Sequence, residues 1–246
     1  MVEISKKSTS AIQSYKKWTP KKTVSICRLE CGCVIWKYRY FFVYLRENEN
    51  MVREINVIKY DKSTSVLFNS YSKIGTEVLS NHHLCKMEYE GKVFHSSEQL
   101  FYWLRFYGYP EHQEHLLSID SPKEVKRTGE RFMKKLGMVD EIERDVQLLR
   151  LAIRVKYNCC EEFRMFLDAY PNIPIVEYAW WGDSEYGCVD EDNSLKYNWY
   201  KGYVIGQNVC GRIIRGVRDE AKDENGKCII TRPPCLDRMQ PPTLFS

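Results

Sequence analysis

The chain has 246 residues, of which 43% are apolar and 28% charged. That mixture excludes intrinsic disorder, collagen and a coiled coil, and the length admits one large domain or two small ones. The net charge of +4 is uneven: residues 1–62 hold 13 Lys/Arg against 6 Asp/Glu, and residues 63–246 hold 24 against 27. A basic front end favours the approach of a polyanion, although a solvated basic arm accounts for it equally well. Aromatic residues reach 13%, with 17 Tyr and 6 Trp, enough to fill a core and still leave rings for a pocket.

Ten cysteines in a chain of this length are not the density of a small disulfide scaffold. Met1 to Ser10 carries lysines but no apolar core of a signal peptide, and the run Tyr40 to Leu45 is far too short for a bilayer. The expectation is a reduced, intracellular protein of the cytoplasm or nucleus, without membrane contact, whose thiols pack as small hydrophobes.

In chain order, residues 1–22 are rich in Lys, Ser and Thr and read as a mobile basic arm. Val24 to Leu29, Val34 to Leu45 and Met51 to Tyr60 read as strands, with a turn at Glu47 to Asn50, so residues 23–62 form a β-rich extension. Further strands fall at Val66 to Phe68 and across Met87 to Phe94, which turns at Glu90-Gly91. Ser96-Ser97-Glu98-Gln99 then matches a capping box and opens a helix that Gly108-Tyr109-Pro110 ends. A second helix starts at Ser121-Pro122 and runs to Gly137, and a third places Ile142, Val146, Leu149 and Ile153 on one face. A fourth covers Glu162 to Ala169, Ile173 to Tyr178 reads as a buried strand, and a last helix runs from about Gln207 to Ala221. Residues 222–246, with four prolines, read as a surface tail. Strands followed mostly by helices predict an α+β domain, predominantly helical, over residues 63–221.

Three segments carry candidate chemistry. Ser80 and Asn81 are short polar side chains in a loop, suited to a ribose or phosphate and also to an ordinary turn. Glu98 lies in the first turn of the aromatic helix, with Phe101, Tyr102 and Arg105 on the same face. The helix dipole favours its charged form, which suits orienting water or stabilising positive charge, or simply the helix start. Trp180-Trp181-Gly182-Asp183 joins two indoles, which stack on bases, to a flexible glycine and a second acid. Gly206, Asn208 and Gly211 at a helix start are a weaker signal for phosphate. Competing chemistries are poorer. Cys27, Cys31 and Cys33 lack a later partner pair for zinc, His82-His83 has no metalloprotease context, and there is no Walker A loop or nucleophile elbow. No metal or cofactor is expected.

Taken in order, Phe68-Asn69-Ser70, Leu79-Ser80-Asn81, Ser97-Glu98-Gln99, Ser121-Pro122 through Gly129, Ala152 through Lys156-Tyr157, Trp181-Gly182-Asp183 and Gly206-x-Asn208-x-x-Gly211 resemble the NADAR (YbiA-like) family across about residues 66–220. The resemblance implies an N-glycosidase. Family members cleave either a phosphorylated riboflavin-pathway intermediate or the bond joining ADP-ribose to guanine in nucleic acid. It implies Glu98 and Asp183 as catalytic carboxylates. Trp180 and Trp181 would stack on a base, with Ser80, Asn81, Tyr102 and Gly182 lining the ligand. Arg105 and the Gly206–Gly211 helix start would hold phosphate. The expected partner is an ADP-ribosylated guanine nucleic acid or nucleotide.

The chain departs from the family pattern in three places. Arg105 stands where the family usually has Lys, and Arg cannot form an imine. That makes a non-catalytic ADP-ribose-binding module one rival reading. The stretch between Asp183 and Gly206 is longer than usual and acidic at Asp190-Glu191-Asp192, as a lid or specificity loop would be. Residues 1–60 have no counterpart. Hydrolysis of a small riboflavin-type intermediate and a purely structural aromatic core are the other rivals.

Overall fold

The computed structural model describes residues 41–44, 53–72 and 75–239, with backbone only at 41–44 and 53–56. The predicted basic arm, the strand at Val24 to Leu29 and the turn at Glu47 to Asn50 lie outside these residues. Phe41–Tyr44 (β1) pairs antiparallel with Arg53–Asn56 (β2). The predicted strand from Met51 to Tyr60 divides at Val57, because Ile58–Asp61 (β3) leaves β2 and pairs elsewhere.

Val66–Phe68 (β4), Met87–Tyr89 (β5) and Lys92–Phe94 (β6) follow. β5 and β6 form a hairpin whose two turn residues, Glu90 (φ 48°) and Gly91 (φ 69°), both adopt the left-handed region. That is the twist a two-residue hairpin turn requires. Ile175–Glu177 (β7) lies parallel to β4, and Val189–Asp190 (β8) and Tyr203–Gly206 (β9) complete the strands. β9 is the centre of a three-stranded sheet, with β3 on one side and β8 on the other. Leu67, Val176, Tyr178, Cys188 and Val204 fill a second small core beside these strands.

The main core is helical. Ser97–Arg105 (α1) begins as the sequence predicts: Ser96 Oγ accepts from Gln99 N at 3.1 Å. Gln99 differs from the usual capping box, since its Oε1 accepts from His95 N (2.7 Å) rather than from the cap residue. Its Nε2 donates to the carbonyls of Leu116 and Ile119, at the end of Pro110–Leu117 (α2). One side chain thus satisfies orphan groups of two helices. All nine residues of α1 are buried, including Glu98 and Arg105.

The sequence predicts a stop at Pro110 and no helix directly after it, whereas α2 begins there. In the structure Gly108 (φ 87°) turns the chain, and Pro110 opens the next helix at its first position, where its missing N–H costs nothing. Pro122–Leu136 (α3) starts on its own proline and ends on Gly137 in the left-handed region, with Met138 N donating back to Met133 O at 2.9 Å. Gly129 is where α3 approaches α1 most closely, because a Cβ there would lie 2.1 Å from the Tyr102 ring. Ile142–Cys159 (α4) packs against α1, and Glu161–Ala169 (α5) and Val209–Asp219 (α6) pack against α4.

Two predicted boundaries shift. β3 pairs with β9 and Lys62 N donates to Gly202 O at 3.1 Å, so a division after residue 62 would cut a sheet. The expected surface tail is stitched to the core: Cys228, Cys235 and Leu236 are buried, and Cys228 N donates to Asn158 Oδ1 at 2.7 Å. Cys235–Arg238 (α7) ends the described chain. The described cysteines are all free thiols, and five of the seven are buried. Among the described residues, no helix is long and apolar enough to cross a membrane.

Candidate active site

The loop carrying Ser80 and Asn81 is held by its own polar groups. Ser80 Oγ accepts from His82 N (3.1 Å), and Ser80 O accepts from Lys156 Nζ (2.7 Å). Asn81 O accepts from Glu98 N (3.0 Å), and Asn81 Oδ1 accepts from Ser97 Oγ (3.1 Å). The loop therefore caps α1 from outside and fixes Glu98 at its first turn. Asn81 Nδ2 reaches across to Cys210 Sγ of α6 at 3.7 Å. His82 Nε2 lies 3.7 Å from Glu98 Oε1, while His82 Nδ1 is buried without a partner. Glu98 itself is 7% exposed.

Within electrostatic reach of Glu98 is an acid that no local sequence pattern singles out. Glu177 ends β7, its N–H fixed by Asn208 Oδ1 at 3.0 Å. The residue keeps some open surface, but its carboxyl group sits deep and hydrogen-bonds the Cys210 thiol. Burial, then the negative charge of Asp183, pushes that carboxyl up to about 8, and Glu98 adds in the same direction. Acids from α1 and from the loop after β7 thus both act on Glu177, which holds its proton at neutral pH. The available signal was an acid at the end of a strand read as buried, since an unexplained buried polar residue is the informative one.

Asp183 lies beyond the turn at Gly182, whose φ of 118° no ordinary residue adopts without strain. One of its oxygens is committed, because Asp183 Oδ1 accepts from Glu185 N and Tyr186 N at 3.0 Å each. Trp180 and Trp181 precede it in edge-to-face contact, with centroids 5.6 Å apart, and Trp181 is 48% exposed. Tyr102 is buried against Gly129 beside Glu98, and burial followed by the Glu98 charge pushes its hydroxyl up.

Groups at both expected phosphate sites are engaged within the protein. Arg105 Nη2 binds Asp140 (2.6 Å) and Asp145 (2.9 Å), two acids distant in the chain. Burial works against its charge, but Asp145 and Asp140 outweigh it and hold the guanidinium above its ordinary value. Arg105 is thereby a structural cation. Arg105→Ala is expected to destabilise the fold by about 2 kcal/mol, because it removes a charged hydrogen bond from the buried Asp145, which keeps Arg144 as its other cation. Thermal melting measures that loss, and KM for substrate should stay unchanged; a raised KM would restore a ligand role.

The helix start at Gly206 to Gly211 is likewise filled. Gln207, Asn208, Val209 and Cys210 donate their N–H groups to carbonyls of residues 184–187, so these donors of α6 do not face a ligand. Gly206 and Gly211 are there for close approach: a Cβ would fall 2.3 Å from Gly187 O and 2.2 Å from Ile175 O, respectively. Asn208 is left-handed (φ 50°) and serves to hold β7 through Ile175 O (2.8 Å) and Glu177 N. It positions Glu177.

Comparison with known proteins adds a distant likeness. No protein family matches the sequence, and no curated protein matches it. Among solved structures, the NMR structure of the E. coli protein YbiA matches 65% of this chain and 92% of that chain, at 20% identity and a TM-score of 0.47. At that level the likeness is one of distant fold only, and no activity follows from it. The chemistry of the site rests on its own geometry.

Lys156 is a second group of note. It is fully buried in α4, donates to Ser80 O and lies 4.7 Å over the Phe163 ring. Burial pulls its ammonium down to about 8. It supports the Ser80–Asn81 loop from beneath, which makes it a positioning residue for Glu98.

Proposed function

We propose that the protein is an N-glycosidase that hydrolyses the bond between ribose C1′ and a base nitrogen, removing ADP-ribose from modified guanine in nucleic acid. The observation that carries this reading is the convergence of Glu98 and Asp183 on the buried Glu177 carboxyl, which keeps its proton, with an indole pair preceding Asp183 in the chain. Glycosidic cleavage needs such a division, an acid for the leaving group and a carboxylate for the attacking water.

In this mechanism Glu98 takes a proton from water as the water oxygen bonds to C1′. The C1′–N bond breaks with its electron pair going to guanine, and Glu177 gives that nitrogen its proton. Exchange with solvent then reprotonates Glu177 and deprotonates Glu98. Asp183 contributes a fixed negative charge, which keeps Glu177 protonated and faces the positive charge that develops on the ribose. The choice of an ADP-ribosylated guanine follows the motif resemblance.

The test is mass spectrometry of an ADP-ribosylated guanine oligonucleotide after exposure to the protein, alongside a phosphorylated riboflavin-pathway N-riboside. Release from the second substrate alone would redirect the reading to a small-molecule hydrolase. Glu98→Gln should abolish release while leaving the melting temperature near that of the parent. Wild-type turnover by this variant would remove Glu98 from the chemistry.

A further inference from the structure

The indole pair before Asp183 is part of a wider group of rings. Trp180 is its hub, with ring centroids 6.4 Å from Tyr71, 5.6 Å from Trp181 and 5.3 Å from Tyr197. Trp180 is anchored by packing against the second core, whereas Tyr71 is 58% and Tyr197 59% exposed. Soluble proteins rarely leave contiguous large rings in water without a partner for them.

The outermost ring is held there at a cost. Tyr197 has φ 69°, the left-handed region, where a bulky residue is an outlier. The strain persists because Tyr178 Oη accepts from Tyr197 N at 2.9 Å. Tyr178 is in turn fixed by Asp190, which Lys62 neutralises. On the other side, Asn69 Oδ1 accepts from Tyr71 N at 2.8 Å and Asn69 Nδ2 donates to Tyr178 O, so one strand end positions both tyrosines.

The charge around the rings is cationic where it is free. Lys123 Nζ lies 4.4 Å over the Tyr71 ring and Lys196 Nζ 5.4 Å over Tyr197, and neither is ion-paired among the described residues. Lys126, one turn along α3, is close enough for its charge to act on Glu177. The neighbouring acids are engaged: Asp190 by Lys62, Glu191 by Lys59 at 2.7 Å, and Asp192 by the N–H of Ser194 at 2.8 Å. Exposed rings alternating with unpaired lysines match a polymer of flat bases and phosphates. An apolar protein partner would leave those lysines facing no counter-charge.

The geometry points to a ledge, formed by Tyr71, Trp180 and Tyr197 with Lys123 and Lys196, that binds a single-stranded stretch of nucleic acid flanking the nucleotide in the active site. This deepens the N-glycosidase reading and rests on it for where the modified nucleotide sits. Bases stack on the rings, and the two ammonium groups swing from the ring faces to phosphates. A duplex, whose bases are already stacked, has none to offer the ledge.

Fluorescence anisotropy with fluorescein-labelled, unmodified 12-nucleotide strands of DNA and of RNA, and with the DNA duplex, tests this without any turnover. Single strands should bind more tightly than duplex. Tyr71→Ala and Tyr197→Ala should each weaken single-strand binding by about 5- to 150-fold, the loss of one stack, and Tyr197→Phe should retain it. Lys123→Ala should reduce the slope of log affinity against log salt by about 0.7. Tyr71 stands in an exposed turn, so its variant tests the ledge even if Tyr197→Ala fails to fold. Equal binding by Tyr71→Ala and the parent, or no preference for single strands, overturns the ledge. Free ADP-ribosylated guanosine has no flanking nucleotides and reports the acids alone. Its turnover without strand binding removes the ledge and keeps the glycosidase. Strand binding without turnover of any substrate does the reverse.

Discussion

Glu177→Gln is expected to lower turnover by about 10²- to 10⁴-fold, the usual contribution of a general acid, and to erase the alkaline limb of the pH profile. In the parent, kcat/KM should fall as pH rises through about 8, where Glu177 loses its proton. An amide cannot supply that proton at any pH, so the residual activity of the variant should lack this limb. The same substitution has a second signature in stability. The folded protein keeps a proton on Glu177 that the unfolded chain loses near 4.5. Stability from this group is therefore complete below about 4.5 and declines as pH rises towards about 8. Lys156 acts with opposite sign, since its folded value is about 8 against 10.5 unfolded, so its penalty is relieved above pH 8. Thermal melts from pH 5 to pH 8.5 should show the variant gaining on the parent as pH rises. A constant difference across that range would rule out a proton held by Glu177.

Lys62→Met should cost about 3–5 kcal/mol, because it leaves one partner of a buried pair uncompensated. Lys62 is 2% exposed and is bound to Asp190, whose side chain is buried as well. Its ammonium also donates to Asn198 O at 2.6 Å and lies 4.9 Å over the Tyr178 ring. One cation thus fixes the segment 190–198 on the sheet, including the strained Tyr197. For a domain of this size the melting temperature should drop by about 10 °C. Asp190→Asn alone should also destabilise, and the double variant should recover part of the loss, since neither charge is then left buried. Additive losses in the double variant would show that the two do not act as a pair.

Local signals in the sequence were reliable where the physics is local. Ser96, Pro122 and Gly137 each dictate a helix end within a turn of themselves, and Glu90-Gly91 dictates its hairpin. Pro110 misled because the same residue that ends one helix is the preferred first residue of the next. Glu98 and Asp183 were legible as acids in special settings. Glu177 was not, because its significance comes from neighbours far along the chain. Arg105 shows the same limit: its partners, Asp140 and Asp145, are 35 and 40 residues away, and nothing near Arg105 announces them. The glycines at 206 and 211 are accounted for by the close approach of neighbouring backbone. A backbone that must pass close to another backbone and one that must admit a phosphate call for the same residue.

The placement of β3 has a practical consequence. A shortened protein that starts after Lys62 loses more than an N-terminal extension. It uncovers one whole side of β9, whose hydrogen-bonding groups would be open to pairing with another molecule. Such a truncation should self-associate more than the parent, and expression trials should begin upstream of Ile58.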